Sequence, residues 1–258
     1  MVRNARAAEY EARPEAVVAV GNVYAAGHLH PPHFHRRSQL LYSSTGVMIV
    51  GTEQGSFVVP PQRAIWIPAG VRHDIRMVGE VSTRSIYLRD GAVANAPDRC
   101  KVIAVSPLLR RLLIEAVDLP VAYQRDPRAN HIIELILLEL QSFVELPLRV
   151  PIPAHARLAA KCRAFMAAPT GHDTIDDWAA HLHMSRRAFT RLFRSETGMS
   201  LSAWRQQACA AAALPRLISG EPITSVAIDL GYGSPAAFSA MFRRVMGAAP
   251  VEYLAASG

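Results

Sequence analysis

Three cysteines in 258 residues, Cys100, Cys162 and Cys209, are too few and too scattered for a disulfide framework, and no Cys-x-x-Cys pair suggests a zinc finger. Half of the residues are hydrophobic, yet no apolar run approaches the roughly 18 residues that a transmembrane helix needs. The opening MVRNARAAEYEARPE mixes acids with arginines and lacks an apolar stretch, so it does not read as a secretory signal. These absences lead to the expectation of a soluble, cytoplasmic chain with no membrane partner. Also missing are a Ser/His/Asp or Cys/His constellation, a phosphate-cradling glycine loop, and paired acids suited to catalysis. Lysine is scarce too: among 28 basic residues only Lys101 and Lys161 are lysines. Arginine suits bidentate contacts to guanine and phosphate, although a chain-wide excess is equally what a genomic bias produces. The net charge of +7 permits a polyanionic partner without requiring one. Residues 153–258 carry 11 basic and 7 acidic groups and residues 1–152 carry 17 and 14, so placement must decide, not totals.

What is present falls into three regions. Between residues 16 and 90, short apolar stretches (Leu40–Tyr42, Val47–Val50, Phe57–Val59, Ala64–Ile67 and Ser85–Leu88) alternate with Gly, Pro, Ser and Asn. Regular short strands of this kind predict a sandwich or barrel. After Pro97 the period changes. Ser106 and Pro107 can start a helix with Leu108, Leu109, Leu112 and Leu113 on one face. A second helix over about Asn130–Val144 carries Ile132, Ile133, Ile136, Leu137 and Leu140 at helical spacing. Those faces fit a dimerisation surface as well as an intrachain core. Pro147, Pro151 and Pro153 make ELPLRVPIP a linker, and everything beyond reads as helical. The expected division is 1–97, 98–152 and 153–258.

The third region carries the clearest pattern. In TIDDWAAHLHMSRRAFTRLFRS (174–195), Thr174 and Asp177 form a possible capping box, and Ile175, Trp178, Ala179 and Leu182 share a face. Ser185 caps the next helix, where Ala188, Phe189, Leu192 and Phe193 line the inner stripe. Its other face shows Arg187, Thr190, Arg191 and Arg194, beside Arg186. A basic face on a helix anchored from behind suits the major groove; a solvated charged face would look similar. The pattern recurs in PITSVAIDLGYGSPAAFSAMFRRVM (222–246), where Ser234 and Pro235 start the second such helix, 49 residues after Ser185. Between them Ala203–Leu217 reads as a linking helix that Pro215 should kink or shorten.

With LFRSETGMSLSAW (192–204) and VAIDLGYGSPAAFSAMFRRVMGAAPVEYL (226–254), this region resembles the DNA-binding domain of the AraC/XylS family of bacterial regulators. Phe242, Arg243, Gly247 and Pro250 carry the most specific part of the match. The resemblance implies tandem helix-turn-helix units reaching successive major-groove segments, which lie about 34 Å apart. The second reading helix offers Ala236, Ser239 and Ala240 before Arg243 and Arg244. Small side chains provide little bidentate hydrogen bonding, so the first unit is expected to read bases and the second to anchor phosphates.

The N-terminal segment GHLHPPHFHRRSQL contains His28, His30, His33 and His35, with His73 later in IPAGVRHDI. His33 and His35 on one strand would present both imidazoles to the same side. The surroundings resemble a cupin barrel: His33, His35, Gln39 and Gly46 fit its first motif, and Pro68, Gly70 and His73 its second. In metal cupins the ligands would be His33, His35, the residue at Gln39 and His73. Here glutamine replaces the acidic ligand, which predicts less than stoichiometric metal. A divalent metal is thus a candidate occupant and no cofactor is required; the alternative is that the histidines line an effector pocket or are vestigial. His28 and His30 fall outside the motif and read as surface or loop residues. Arg72 and Arg76 could draw an anionic effector to the pocket mouth, or form a solvated rim.

The expected architecture is therefore a cupin-like β-barrel followed by an all-α tandem helix-turn-helix domain. The expected function is a DNA-binding transcription regulator, not an enzyme, controlled by a small-molecule effector. Its expected partners are promoter DNA, that effector, RNA polymerase if it activates, and a second copy in a homodimer. The rival readings are a metal-dependent cupin enzyme of dioxygenase or isomerase type with a helical accessory domain, and a constitutive DNA-binding protein whose barrel senses nothing.

Overall fold

The computed structural model describes residue 11 and residues 13–120, 122–169 and 173–255, so most of MVRNARAAEYEARPE lies outside the described residues. Two compact units emerge, residues 1–52 with 58–146 and residues 53–57 with 147–258.

The first unit is built on strands β1 (Val17–Tyr24), β2 (Leu29–His33), β3 (Ser38–Thr52), β5 (Arg63–Ile67), β6 (His73–Leu88) and β7 (Lys101–Ala104), all antiparallel; β4 (Gly55–Val59) ends in it. The long β6 pairs with β1, β2 and β3, and β5 lies between β3 and β7. Alternation along β3 and β6 gives the sheet two chemically distinct faces. Leu40, Tyr42, Ile86 and Leu88 join the apolar core with Ala64 and Trp66. Gln39 opposite Tyr87, and Leu41 opposite Ser85, turn to the other face. Gly46 sits in a bulged stretch of β3 with φ of +69°, and a Cβ there would come 2.4 Å from the Glu80 carbonyl oxygen, so only glycine fits.

Helices α1 (Pro107–Ala116) and α2 (Pro127–Glu139) follow, with a 3₁₀ turn at Tyr123–Arg125 between them. Ser106 accepts a hydrogen bond from the Leu109 amide, and Asp126 accepts from the amides of Arg128 and Ala129. Because Asp126 and Pro127 supply cap and first turn, α2 starts earlier than its apolar pattern suggested and stops at Glu139 instead of Val144. Leu109, Leu112, Leu113, Ile132, Ile133 and Ile136 pack into the same core as Leu40 and Trp66. The apolar stripes therefore serve intrachain packing. Leu108, Leu135, Leu138 and Val144 stay exposed.

In the second unit Gly55, Ser56 and Phe57 of β4 pair with β8 (Arg149–Pro151), so ELPLRVPIP contains a strand and is more than a linker. Prolines at 147 and 151 bracket this short edge segment, a position where the missing amide costs little. The helices are α3 (Ala156–Ala167), α4 (Ile175–His181), α5 (Arg186–Thr197), α6 (Leu201–Ile218), α7 (Ile223–Asp229), α8 (Pro235–Met246) and α9 (Pro250–Ala255). Phe165, Trp178, Phe189, Phe193 and Trp204 form a buried aromatic cluster joining α3, α4, α5 and α6. Pro215 does not end α6, which runs on to Ile218. Its final turn is fixed by buried Leu214 and Leu217 and by Arg216, which pairs with Glu221 and Asp229.

The two helical pairs α4–α5 and α7–α8 turn in the same way. In the first, the Met184 amide reaches back to the Ala179 carbonyl; in the second, the Tyr232 amide reaches the Ala227 carbonyl. Both turns require a left-handed residue, and they fill it differently: Gly231 at φ +77° and His183 at φ +55°. A side chain in that region costs roughly 1 kcal/mol relative to glycine. His183→Gly is expected to stabilise the helical unit by up to that amount, read as a raised denaturation midpoint at unchanged m-value. An unchanged or lowered midpoint would mean that the imidazole offsets the strain.

Candidate functional site

The first candidate surface is the outer face of α5. Ser185 accepts from the Ala188 amide, and Gly198 closes the helix in the left-handed conformation. Phe189 and Phe193 are buried behind it. Arg186, Arg187, Thr190, Arg191 and Arg194 are exposed and, with Ser195, line one shallow concavity. Asp176 lies 3.6 Å from Arg186. Among the described residues Arg187, Arg191 and Arg194 form no ion pair, so their guanidinium donors face solvent. The Thr190 hydroxyl donates to the Arg186 carbonyl at 2.8 Å.

The corresponding helix α8 starts at Ser234, whose hydroxyl accepts from the Ala237 amide, and ends at Gly247. Ser234, Ala236, Ala240, Arg243 and Arg244 are exposed and Ser239 is half-buried. Here the two arginines part company. Arg243 is held by Glu252 of α9 at 2.9 and 3.0 Å, and Glu252 in turn accepts from the Ala249 amide. Arg244 forms no ion pair among the described residues.

The second candidate site lies in the first unit. One ring nitrogen from each of His33, His35 and His73 falls within 4.8 Å of the other two. His33 and His73 are cross-strand partners, whereas His35 sits just beyond the end of β2 and not on the same strand as expected. The ring orientations are set from outside. His33 Nδ1 lies 2.8 Å from the Pro31 carbonyl oxygen, and His73 Nδ1 lies 2.9 Å from that of Val71. A carbonyl can only accept, so each Nδ1 is the donating nitrogen. The Glu11 carboxylate stands 3.7 Å from His35 Nδ1 and accepts from the Arg36 amide.

Burial keeps two of these rings, His35 and His73, neutral near pH 7. Burial pushes His35 down to about 3, helped by His33, His73 and His30. Burial likewise lowers His73 to about 4, against the opposing pull of its bond to Val71. Gln39 completes the chamber: its amide nitrogen donates to Ser85 Oγ and Tyr87 Oη, both at 3.1 Å. Tyr87 packs edge-on against His35 with ring centroids 5.2 Å apart. Gln39 Oε1 and His73 Nε2 are buried acceptors with no hydrogen-bond partner in the described structure. Leaving such a group unsatisfied costs about 1–3 kcal/mol.

Residues 15–160 match the family of AraC-like ligand binding domains, and residues 178–256 match a helix-turn-helix domain. The HTH-type transcriptional regulator NimR of Escherichia coli K12 is 31% identical over 225 residues, which cover 87% of this chain and 82% of NimR. The chain belongs to the AraC family. More distant is the arabinose operon regulatory protein of Salmonella typhimurium, 28% identical over 128 residues, 49% of this chain and 45% of that protein. Among solved structures, ToxT of Vibrio cholerae covers 93% of this chain and 98% of its own length at 12% identity and a TM-score of 0.39.

As an AraC-family transcription regulator, the protein combines a sheet-rich, effector-binding N-terminal domain with a helical, DNA-binding C-terminal one. The enzyme alternative is not favoured, since its relatives are transcription regulators. His30 escaped the sequence pattern. It belongs to β2 and packs on His33 at 5.7 Å between centroids, and His28 packs on His30 at 4.9 Å. His28 lies in an exposed loop, as read, whereas His30 is a half-buried strand residue that adjoins the histidine chamber, contrary to its reading as a surface or loop residue. The repeated His-x-His spacing at 28–30 and 33–35 was the available signal.

Proposed function

We propose that this AraC-family protein reads promoter DNA mainly through Arg186, Arg187, Thr190, Arg191 and Arg194 of α5. Ser185, Ser234, Ala236, Ser239, Ala240 and Arg244 make backbone and close-packing contacts to the same DNA, and Arg243 braces α8 through Glu252. DNA binding belongs to residues 153–258 and sensing to residues 1–97. Residues 98–152, with exposed Leu135 and Leu138, face a second copy in a homodimer. The protein works in the cytoplasm, is not an enzyme, and meets RNA polymerase where it activates.

The effector site is the histidine chamber, and its ligand is a divalent transition metal. The convergence of three imidazoles, with the Nδ1 atoms of His33 and His73 tied to carbonyls, carries this reading. Such second-shell bonds orient ligating histidines and raise their basicity. Imidazole suits zinc, copper, nickel and ferrous iron, and a carboxamide oxygen at Gln39 would add a neutral fourth donor in place of a carboxylate. A bound cation supplies the charge that satisfies the buried acceptors at His73 and Gln39.

Cobalt titration of tag-free, chelator-stripped full-length protein tests the reading. One ion per chain is expected, in place of the less than stoichiometric metal that the missing carboxylate suggested, with visible absorption in the nitrogen-ligand range, lost in His73→Ala, and operator affinity should differ between loaded and stripped protein. Absence of cobalt binding would return the chamber to an organic effector; binding without any change at the operator would leave a structural metal.

A further inference from the structure

Beyond the chamber, the structure contains a continuous file of rings. His28 and Tyr24 stack at 5.0 Å, 25° from parallel; Tyr24 and His28 each meet His30 edge-on, at 5.0 and 4.9 Å. His30 then meets His33 at 5.7 Å, and His33 meets His35 and His73 at 4.9 and 4.4 Å. Exposure falls along this file: His28 is exposed, His30 and His33 are half-buried, and His35 and His73 are 4% and 2% exposed. The backbone holds the outer end in place, because the Met77 amide donates to the His28 carbonyl and the Gly27 amide donates to the Met77 carbonyl.

We infer that His28 and His30 form an outer capture site that takes a divalent transition cation from solvent and passes it through His33 to the inner chamber. The inference rests on the metal reading of that chamber and adds two residues that the chamber itself does not need. The physical reason is desolvation. An aquo cation entering a buried site must lose its waters, and a bare divalent ion in a low-dielectric interior is prohibitively costly. Nitrogen donors spaced one ring apart let each lost water be replaced by an imidazole before the previous ligand releases.

His30 is pushed below the ordinary histidine range by burial first, then by its neighbours His28 and His33. Without a metal to carry, two adjacent imidazoles and a tyrosine at the end of β1 and start of β2 would be no more than a packed connection between two strands that both pair with β6.

Loading kinetics decide between these. Stripped full-length protein is mixed with cobalt in a stopped-flow instrument, uptake is followed by visible absorption, and bound metal is counted by elemental analysis. For His28→Gln/His30→Gln, which keeps side-chain bulk, the inner ion should still be bound at one per chain. Its uptake should be clearly slower than that of the wild type, while the final stoichiometry is unchanged. Wild-type uptake rates in this variant would overturn the inference and leave the rings as packing. A chain with Gln at both positions that binds no cobalt would also overturn it, by showing the two histidines to be obligatory ligands. If the wild-type protein takes up no cobalt, the chamber reading fails first, and the capture site with it.

Discussion

Trp204→Ala should cost about 3–5 kcal/mol, the range for large aromatic truncations in a core that cannot collapse. Trp204 is completely buried at the start of α6, within 5.7–5.9 Å of the rings of Phe165, Trp178 and Phe193. Four helices therefore meet on its indole. The Nε1–H also donates to the Pro151 carbonyl at 2.7 Å, the bond that ties α6 to strand β8. Since domains carry only about 5–15 kcal/mol in total, the helical unit would be left near its unfolding threshold. Urea unfolding followed by far-ultraviolet dichroism should show the loss as a large fall in midpoint. Trp204→Phe separates the two contributions, keeping most of the ring packing and losing the hydrogen bond, for about 1–3 kcal/mol. A loss below about 1 kcal/mol for the alanine variant would show that the cluster repacks around the gap.

That keystone was legible only in part. Trp178, Phe189 and Phe193 fall on the inner stripes of α4 and α5 at helical spacing, so their burial followed from period alone. The bond from Trp204 to Pro151 spans 53 residues and leaves no local trace. Several caps were readable: Thr174 with Asp177, Ser185 and Ser234 all make the hydrogen bonds that their residue types promise, whereas the Asp126 and Ser200 caps were not read from the sequence.

The histidines show where strand arithmetic misleads. Side chains alternate along a strand, so His30 and His33, three residues apart, should point to opposite faces. They do not, because β2 is bulged between them: His30 lies opposite Ile75 and His33 opposite His73, three residues on one strand against two on the other. The extra residue falls at the Pro31-Pro32 pair, which cannot donate to the ladder. One inserted residue thus restores His30 to the side of His33. The sequence shows that Gln39 replaces the acidic ligand but not that its amide nitrogen is committed to Ser85 and Tyr87. With the amide nitrogen so placed, Oε1 is the end without a partner among the described residues.

The helix-turn-helix units differ in a way that only geometry shows. Arg243 and Arg244 looked equivalent as phosphate anchors, yet Glu252 holds Arg243 in a two-pronged ion pair. Both partners are largely exposed, so the pair itself contributes little to stability. Its effect is positional, fixing the guanidinium against α9. Arg244 is the arginine of α8 left for a phosphate, and Arg244→Ala should flatten the salt dependence of binding by roughly one unit of slope.

The largest effect on DNA binding is expected from Arg187 and Arg191. They stand one turn apart on the exposed face of α5, near its N-terminus, where reading helices bring side chains to base edges. Neither is tied by an ion pair among the described residues, so no intramolecular bond must be broken before a guanine is met. A bidentate guanidinium contact to guanine O6 and N7 is worth about 1–3 kcal/mol of discrimination, or roughly 5- to 150-fold in Kd. Arg187→Ala and Arg191→Ala should each relax preference at one base position, and the double variant should lose both preferences while still binding DNA through its remaining phosphate contacts. Selection from a random DNA pool at fixed salt, run on the wild type and the three variants, reads this directly. If the selected motif survives in the double variant while Arg244→Ala rewrites it, base readout belongs to α8 and the division of labour between the units is the reverse.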